Sequence, residues 1–523
     1  MSQSGVRHRG DTLTVAAGIA DVGPIDTSVA YGTTAWHLLR MTGDGLTAFN
    51  QASGLDGTEL VPDLAVTLPA PTDGGTTYTF LVRRNIRYSN GKRVEPSDVR
   101  STFERDFKIA KLPIDYYNGI VGSSACLKRP RRCDLSKGIV TNNAARTVTF
   151  HLVAPDPEFL YKLALPFAYV LPSGTPPREI GTQPLPATGP YAVASYHPAH
   201  LLTFVRNPYF HTWSQAAQPD GYPNKIVVKI GQTSDEAVAD VLHGRADAFG
   251  SIGGAPSHKL LTELETHFAS RVHSNPFLQT LSLFLNTRVA PFNSLDARKA
   301  VNYATNRTAA VATAGGPEVA QPTCQILPPS LPGYRHYCPY ALNLAKAHAL
   351  VAASGTQGAK VTVWGPTQAR GYSDDALKML KSLGYHASLK LVSAPKYFSS
   401  AFDSRNKVQV GFLPWSADYP TASGFFEPLL TCTSFQAANA DSTNGSEFCD
   451  PRIDREIKAG LTEQTTNPQA ARRIWEHIDQ QSVDQAPLVP LVNPKIVDVL
   501  SKRVGNYQYN PMWSMLIDQL WVR

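Results

Sequence analysis

The residues best suited to chemistry lie in one short stretch, Val408 to Pro420, V-Q-V-G-F-L-P-W-S-A-D-Y-P. It sets a single carboxylate, Asp418, between two large aromatics, Trp415 and Tyr419, directly after an apolar run. A carboxylate walled by rings suits a cation. An ammonium would donate charge-assisted hydrogen bonds to it, and the negative ring faces add attraction. The same residues also read as an aspartate capping a turn beside two core aromatics. The element that must position them is a strand: Val408, Val410 and Phe412 alternate with the period of two of a half-buried ladder. Pro414 has no N–H to donate and is expected to stop that ladder, leaving Trp415, Asp418 and Tyr419 on the turn beyond it.

Motifs that would carry catalysis are missing. The sequence contains no G-x-S-x-G elbow, no H-E-x-x-H zinc pair and no G-x-x-x-x-G-K-[ST] phosphate loop. His197, His200 and His336 stand isolated, so structural or surface roles are expected and no metal or cofactor is. The six cysteines fall into three sequence-local couples, Cys126 with Cys133, Cys324 with Cys338, and Cys432 with Cys449. Their close spacing in loop-like sequence favours local disulfides over other pairings, and none forms a C-x-x-C site. Three such staples imply an oxidising compartment, the alternative being buried reduced thiols in a cytosolic protein.

At 523 residues the chain exceeds one ordinary core, so two or three lobes are expected. An apolar share of 42% and a charged share of 17% describe a globular protein, and no apolar run is long enough to span a bilayer. The net charge of +7 is partly local: Lys128, Arg129, Arg131 and Arg132 crowd between Cys126 and Cys133. Without interleaved aromatics this loop is no nucleic-acid site. It reads as a solvated tip, the alternative being contact with an acidic partner or an anionic membrane surface. The first ten residues, M-S-Q-S-G-V-R-H-R-G, lack an apolar core and do not form a secretory signal.

Along the chain, Asp11 to Ala17 reads as a first strand, followed by an irregular loop bearing Tyr31 and a helix from Thr34. Tyr78, Phe80 and Val82 mark another strand, Tyr88 to Gly91 a hairpin, and Pro96 a helix with Val99, Phe103 and Phe107 on one face. Strands at 147–152, 225–230, 247–249, 281–286 and 360–364 follow, with helices at 157–165 and 234–243. A further helix is expected to be capped by Ser373 and ended by Gly384, and others to start at Pro451 and Pro468. Pro172 to Pro186 reads as a linker, and 487–492 and 516–522 return to strand-like alternation. Short β-α-β units argue for α/β lobes with a partly parallel sheet.

Taken in order, these motifs resemble one family. The W-x-x-D-Y-P run at Trp415 is joined by L-x-P-x-L-A at Leu60, Y-x-F-x-V-R at Tyr78, T-G-P-Y at Thr188, R-N-P-Y at Arg206 and N-T-x-x-x-P-F at Asn286. The pattern is similar to the family 5 extracellular solute-binding proteins, the oligopeptide and dipeptide type that feed ABC importers. Asp44, Gly45 and Leu46 stand where that family has E-G-L, and Asn306 replaces an aspartate common before Arg307, weakening an ion pair. The resemblance implies a two-lobed, periplasmic-binding-protein-like α/β fold of class II type, with an inserted domain and a hinged cleft. Its expected segments are 11–57, 186–278 and 494–523 for lobe I, 58–185 for the inserted domain II, and 279–493 for lobe III.

By the same resemblance Asp418 holds a ligand's α-amino group, with Trp415, Tyr419, Tyr31 and Trp364 as candidate walls. The expected function is an extracellular, envelope-associated receptor without catalysis. It would bind a small solute, a peptide above all, work as a monomer and partner the membrane subunits of an ABC importer. A signal or lipid-anchor segment would then precede what the first ten residues supply. Two other readings stay open: a ligand-sensing module of a larger regulatory protein, and a secreted hydrolase using Asp418 with a second carboxylate.

Overall fold

The computed structural model describes residues 9–109, 114–250, 254–439 and 442–523, so most of the ten-residue segment read for a signal lies outside the described residues. The chain divides into two compact units, Met1–His273 with Ile496–Arg523, and Ser274–Lys495.

In the first unit the Gly10–Ala16 strand is the centre of a sheet. It pairs in parallel with Pro223–Lys229 on one side and Ala248–Gly250 on the other. The helix Ser234–Leu242 connects those two flanking strands and begins with a capping box, Thr233 and Glu236 each bonding the other's backbone N–H. Antiparallel strands extend both edges: Leu201–Arg206 and Tyr191–His197 beyond Pro223–Lys229, and the stretch around Val499 beyond Ala248–Gly250. Strand alternation sorts the core onto two faces. Leu13 and Val15 join Ile226, Val228, Phe204, Ile517 and Leu520 on one, and Ala16 joins Phe249, Val499, Val238 and Val241 on the other.

A separate antiparallel sheet of Thr77–Leu81, Thr147–His151 and Ile139–Asn142 lies within the same unit. Helix Pro96–Ile109 covers it, burying Val99, Phe103 and Phe107 at the expected fourfold spacing. Phe103 meets Phe150 edge-on at 5.5 Å. The hairpin at Tyr88 closes through Gly91, whose φ of 82° is the left-handed conformation that glycine adopts without strain.

In the second unit, His386–Val392, Lys360–Pro366 and Val410–Ser416 run parallel to one another. Gln279–Leu285 then pairs antiparallel with Val410–Ser416, and the first half of Leu488–Leu500 pairs antiparallel with Gln279–Leu285. Helices Leu295–Ala304, Arg370–Ser382, Pro451–Thr466 and Pro468–Gln485 belong to this unit. Pro451 and Pro468 stand at first helical positions behind the caps Asp450 and Asn467, as read. The three cysteine couples are disulfides, with Cα separations of 4.3, 5.2 and 4.4 Å.

Several local expectations need correcting. Pro414 does not stop its ladder: Val410–Ser416 continues through it, and Pro414, Trp415 and Ser416 register against Leu281, Thr280 and Gln279. The pairing with Lys360–Pro366 ends at Gly411, so Pro414 has a free edge on that side, where a missing N–H costs little. Nor is this strand half-buried. Val410, Phe412 and Leu413 are all inside, because the sheet is covered on both faces here. Ser373 does not cap its helix, which begins at Arg370; the hydroxyl is buried and bonds back to the Ala369 carbonyl. The helix at 157–165 shrinks to Phe159–Lys162 before a 3₁₀ turn. At 516–522 a 3₁₀ turn, Ile517–Gln519, replaces most of the expected strand. Gly189 has no left-handed φ. A Cβ there would lie 2.6 Å from the Met41 carbonyl oxygen, so close approach is what requires glycine. Asn306 takes a capping role, its side chain accepting from the Ala309 N–H at 3.0 Å.

Candidate ligand-binding site

The Val410–Ser416 strand carries Trp415 at its end, so Trp415 sits on the ladder and only Asp418 and Tyr419 lie on the turn. Thr280 faces Trp415 and Gln279 faces Ser416 across the antiparallel pair. The Gln279 amide also donates to Ser416 Oγ at 3.0 Å, fixing the strand end through side chains as well as backbone. Beyond it the chain turns into the helix Ser423–Leu430.

Hydrogen bonds between neutral groups help to close that turn. The Trp415 indole Nε1–H donates to the Gly424 carbonyl at 2.8 Å, tying strand end to helix start. The Thr421 N–H donates to the Tyr419 carbonyl at 2.8 Å, and the Ser423 hydroxyl to Thr421 Oγ1 at 2.8 Å. Gly424 permits the closure, since a Cβ there would stand 3.1 Å from the Ala417 Cβ. Within this frame Trp415 and Asp418 are half-buried, while Tyr419 is 9% exposed. The turn therefore holds an oriented indole and a partly accessible carboxylate in a fixed backbone, which suits a cationic ligand group.

Trp364 is placed differently. Register sets it level with Gly411, four residues before Trp415, inside a strand that runs on to Pro366. Its ring is largely buried and lies 3.5 Å from Lys390 Nζ, so its exposed face already carries a cation.

Tyr31 belongs to the first unit. It is 50% exposed and stacks on Phe167 at 6.2 Å, with Trp36 edge-on at 5.6 Å. The loop that bears it is anchored by a buried ion pair. Arg105 donates to both carboxylate oxygens of Asp26, at 2.8 and 2.6 Å. The remaining guanidinium protons reach the Ser28 hydroxyl and the carbonyls of Pro176 and Arg178. Asp26 also accepts from the N–H groups of Ser28 and Ile180. One pair thus ties the Tyr31 loop and the proline-rich passage to helix Pro96–Ile109. Beside it, burial pushes the Asp106 carboxyl up to about 8, against the lowering pull of Ser28 and Arg105.

Sequence reasoning missed a polar row beside the turn. Asn493 is buried and donates to the Gln279 carbonyl at 3.2 Å and to Thr280 Oγ1 at 2.9 Å, while Thr280 donates to the Ile326 carbonyl at 2.8 Å. A signal for it existed: Gln279, Thr280 and Ser282 interrupt an otherwise apolar strand, and buried polar groups demand partners. Among the described residues no group of three or more His, Cys, Asp or Glu could hold a metal ion, and no helix is long and apolar enough to cross a membrane.

Comparison with known proteins supports one assignment. Residues 59–437 match the family described as bacterial extracellular solute-binding proteins, family 5 Middle. The chain is 25% identical over 477 residues to the peptide transport periplasmic protein SapA of Salmonella typhimurium (strain LT2), covering 86% of this chain and 80% of that protein. It is 22% identical over 487 residues to the dipeptide-binding protein of Escherichia coli (strain K12), covering 87% and 85%. A solved structure, clavulanic acid biosynthesis oligopeptide binding protein 2, superposes with a TM-score of 0.85 at 24% identity, over 99% of this chain and 96% of that one. The likeness in structure establishes a periplasmic-binding-protein fold, and the family match covers more than half the sequence. The chain belongs to the bacterial extracellular solute-binding proteins of family 5.

Proposed function

We propose that this protein is the receptor of an ABC importer that captures a peptide, or another amine-bearing small solute, where the strand end at Trp415 meets the Asp418–Tyr419 turn, and releases it chemically unchanged. The observation that carries the reading is the turn itself. A half-buried carboxylate stands on a backbone fixed by the Trp415-to-Gly424 hydrogen bond, so an ammonium meets a preorganised acceptor. The names of relatives that bind dipeptides or transport peptides support the ligand class. Tyr31 and Trp364 remain proposed as further walls, each from its own unit. Residues 58–185 are taken as an inserted domain, a division supported by their separate three-stranded sheet. The protein works as a monomer outside the cytoplasmic membrane, with importer membrane subunits as partners.

Isothermal titration with a panel of short peptides, each with a free and an N-acetylated amino terminus, tests this. The free form binds and acetylation weakens it. Asp418→Ala lowers affinity for the free form by at least about 2 kcal/mol, roughly thirtyfold. Unchanged affinity in Asp418→Ala refutes the amine-anchor role. Mass spectrometry after long incubation recovers the peptide intact; accumulation of fragments would favour the hydrolase reading instead.

A further inference from the structure

The basic tip at Cys126–Cys133 is not among the residues proposed for ligand capture, and its geometry asks for an explanation of its own. The segment is tied by local hydrogen bonds and a disulfide. Helix Ser123–Lys128 passes into a 3₁₀ turn, Pro130–Arg132, with Arg129 N–H bonded to the Ala125 carbonyl and Cys133 N–H to the Pro130 carbonyl. The disulfide closes the base, with both cysteines buried and their Cα atoms 4.3 Å apart. On this frame Lys128, Arg129, Arg131 and Arg132 are all exposed. Among the described residues none of the four has a carboxylate within ion-pair distance.

The nearby acids are already engaged. Glu104 lies between Arg100 at 3.9 Å and Lys108 at 3.5 Å and accepts the Leu135 N–H at 3.1 Å. Asp134 accepts the Ser136 N–H at 2.8 Å and feels the charges of Arg100 and Lys108. The exposed Lys137 adds a further cation four residues beyond Cys133. Concentrating like charge in this way costs self-repulsion, and folding gains nothing visible from it. Leu127, 42% exposed, adds an apolar side chain beside Lys128.

From this arrangement we infer that the Cys126–Cys133 tip is a docking surface for an anionic lipid bilayer. A mobile layer of headgroups can adapt to cations that project from a disulfide-closed loop without a fixed complementary pattern, and each Lys or Arg near such a surface adds attraction. Leu127 supplies an apolar foot for the headgroup boundary. Nucleic acid is disfavoured because the tip offers no stacking aromatic. Family membership sets the protein outside the cytoplasmic membrane, where a tethered approach to that surface raises its local concentration at an importer.

The test is cosedimentation of the whole protein with phosphatidylglycerol-containing vesicles and with pure phosphatidylcholine vesicles. The protein partitions onto the first and not the second, and leaves them at about 1 M salt, where the screening length is about 3 Å. A variant combining Lys128→Gln, Arg129→Gln, Arg131→Gln and Arg132→Gln partitions about tenfold less or weaker still. Its unchanged circular dichroism shows that it is folded. Leu127→Ser alone weakens partition a few-fold. Equal partition of the quadruple variant, or no partition of the unaltered protein, overturns the proposal. Binding to isolated importer subunits that the quadruple variant loses, with vesicles ignored throughout, assigns the tip to an acidic protein partner instead. None of these outcomes depends on which solute the protein binds.

Discussion

Two carboxylates, each on a loop leaving a strand of a central sheet, are treated in opposite ways. Asp26, in the first unit, is fully buried and bound at both oxygens by Arg105. Asp418, in the second, is half-buried on a turn whose closure relies on Trp415, Thr421 and Ser423. In the first case the charge is enclosed in the pair that holds the loop; in the second, bonds from Trp415, Thr421 and Ser423 help to tie the loop and the aspartate stays half-buried. A buried ion pair is a structural fixture that resists removal of either partner. A half-buried carboxylate on a turn that other side chains also tie keeps part of its surface for a ligand, which is the property a binding group needs.

The largest expected effect breaks the first side of this contrast. Arg105→Ala leaves Asp26 buried without its counter-charge and lowers stability by about 3–5 kcal/mol in urea unfolding. A change below about 1 kcal/mol would show that Asp26 finds other partners. Next comes pH. The Asp106 carboxyl is raised from its ordinary value of 3.8 to about 8, chiefly by burial, so its neutral form favours the fold. Its contribution is complete below about pH 4 and is lost as pH rises through about 8. Asp106→Asn therefore flattens the fall in stability between those limits, by about 1–3 kcal/mol. Asp479 in the second unit, pushed up to about 7 by burial, leaves its own slope in place.

Smaller effects sharpen the second side. Asp418→Ala costs about 2 kcal/mol of affinity for a free amine while stability falls by less than the loss of about 3–5 kcal/mol expected for Arg105→Ala. Matched losses in both quantities would mean that Asp418 serves the fold as Asp26 does. Trp415→Phe removes the indole N–H from the Gly424 carbonyl and costs about 1 kcal/mol of stability, read as a shift in urea midpoint.

The contrast also separates what sequence reading reached from what it did not. The strands at Leu13, Ile226 and Phe249 and the helix at Val99 were legible because alternation and fourfold spacing are local properties of the chain. The W-x-x-D-Y-P motif was legible for the same reason. Arg105 and Asp26 lie 79 residues apart, and Gln279 and Ser416 lie 137 apart, so nothing local announces either partnership. Pro414 and Ser373 were misread because tertiary neighbours overrode local preference, an unpaired strand edge for one and an earlier helix start for the other. Trp364 was placed by its strand end, and its engagement with Lys390 depends on the parallel neighbour His386–Val392.

The second unit is one uninterrupted run, Ser274–Lys495, whereas the first is assembled from both sides of it. Val499, Ile517, Leu520 and Val522 fill core positions around Leu13, Val15 and Ala16. During synthesis or translocation the chain emerges from its amino end, so the strand at Leu13 must wait for almost the whole polypeptide before its last neighbours arrive. The second unit waits less, since the strand Gln279–Leu285 has its last partner by Val492, before the closing segment of the first unit has emerged.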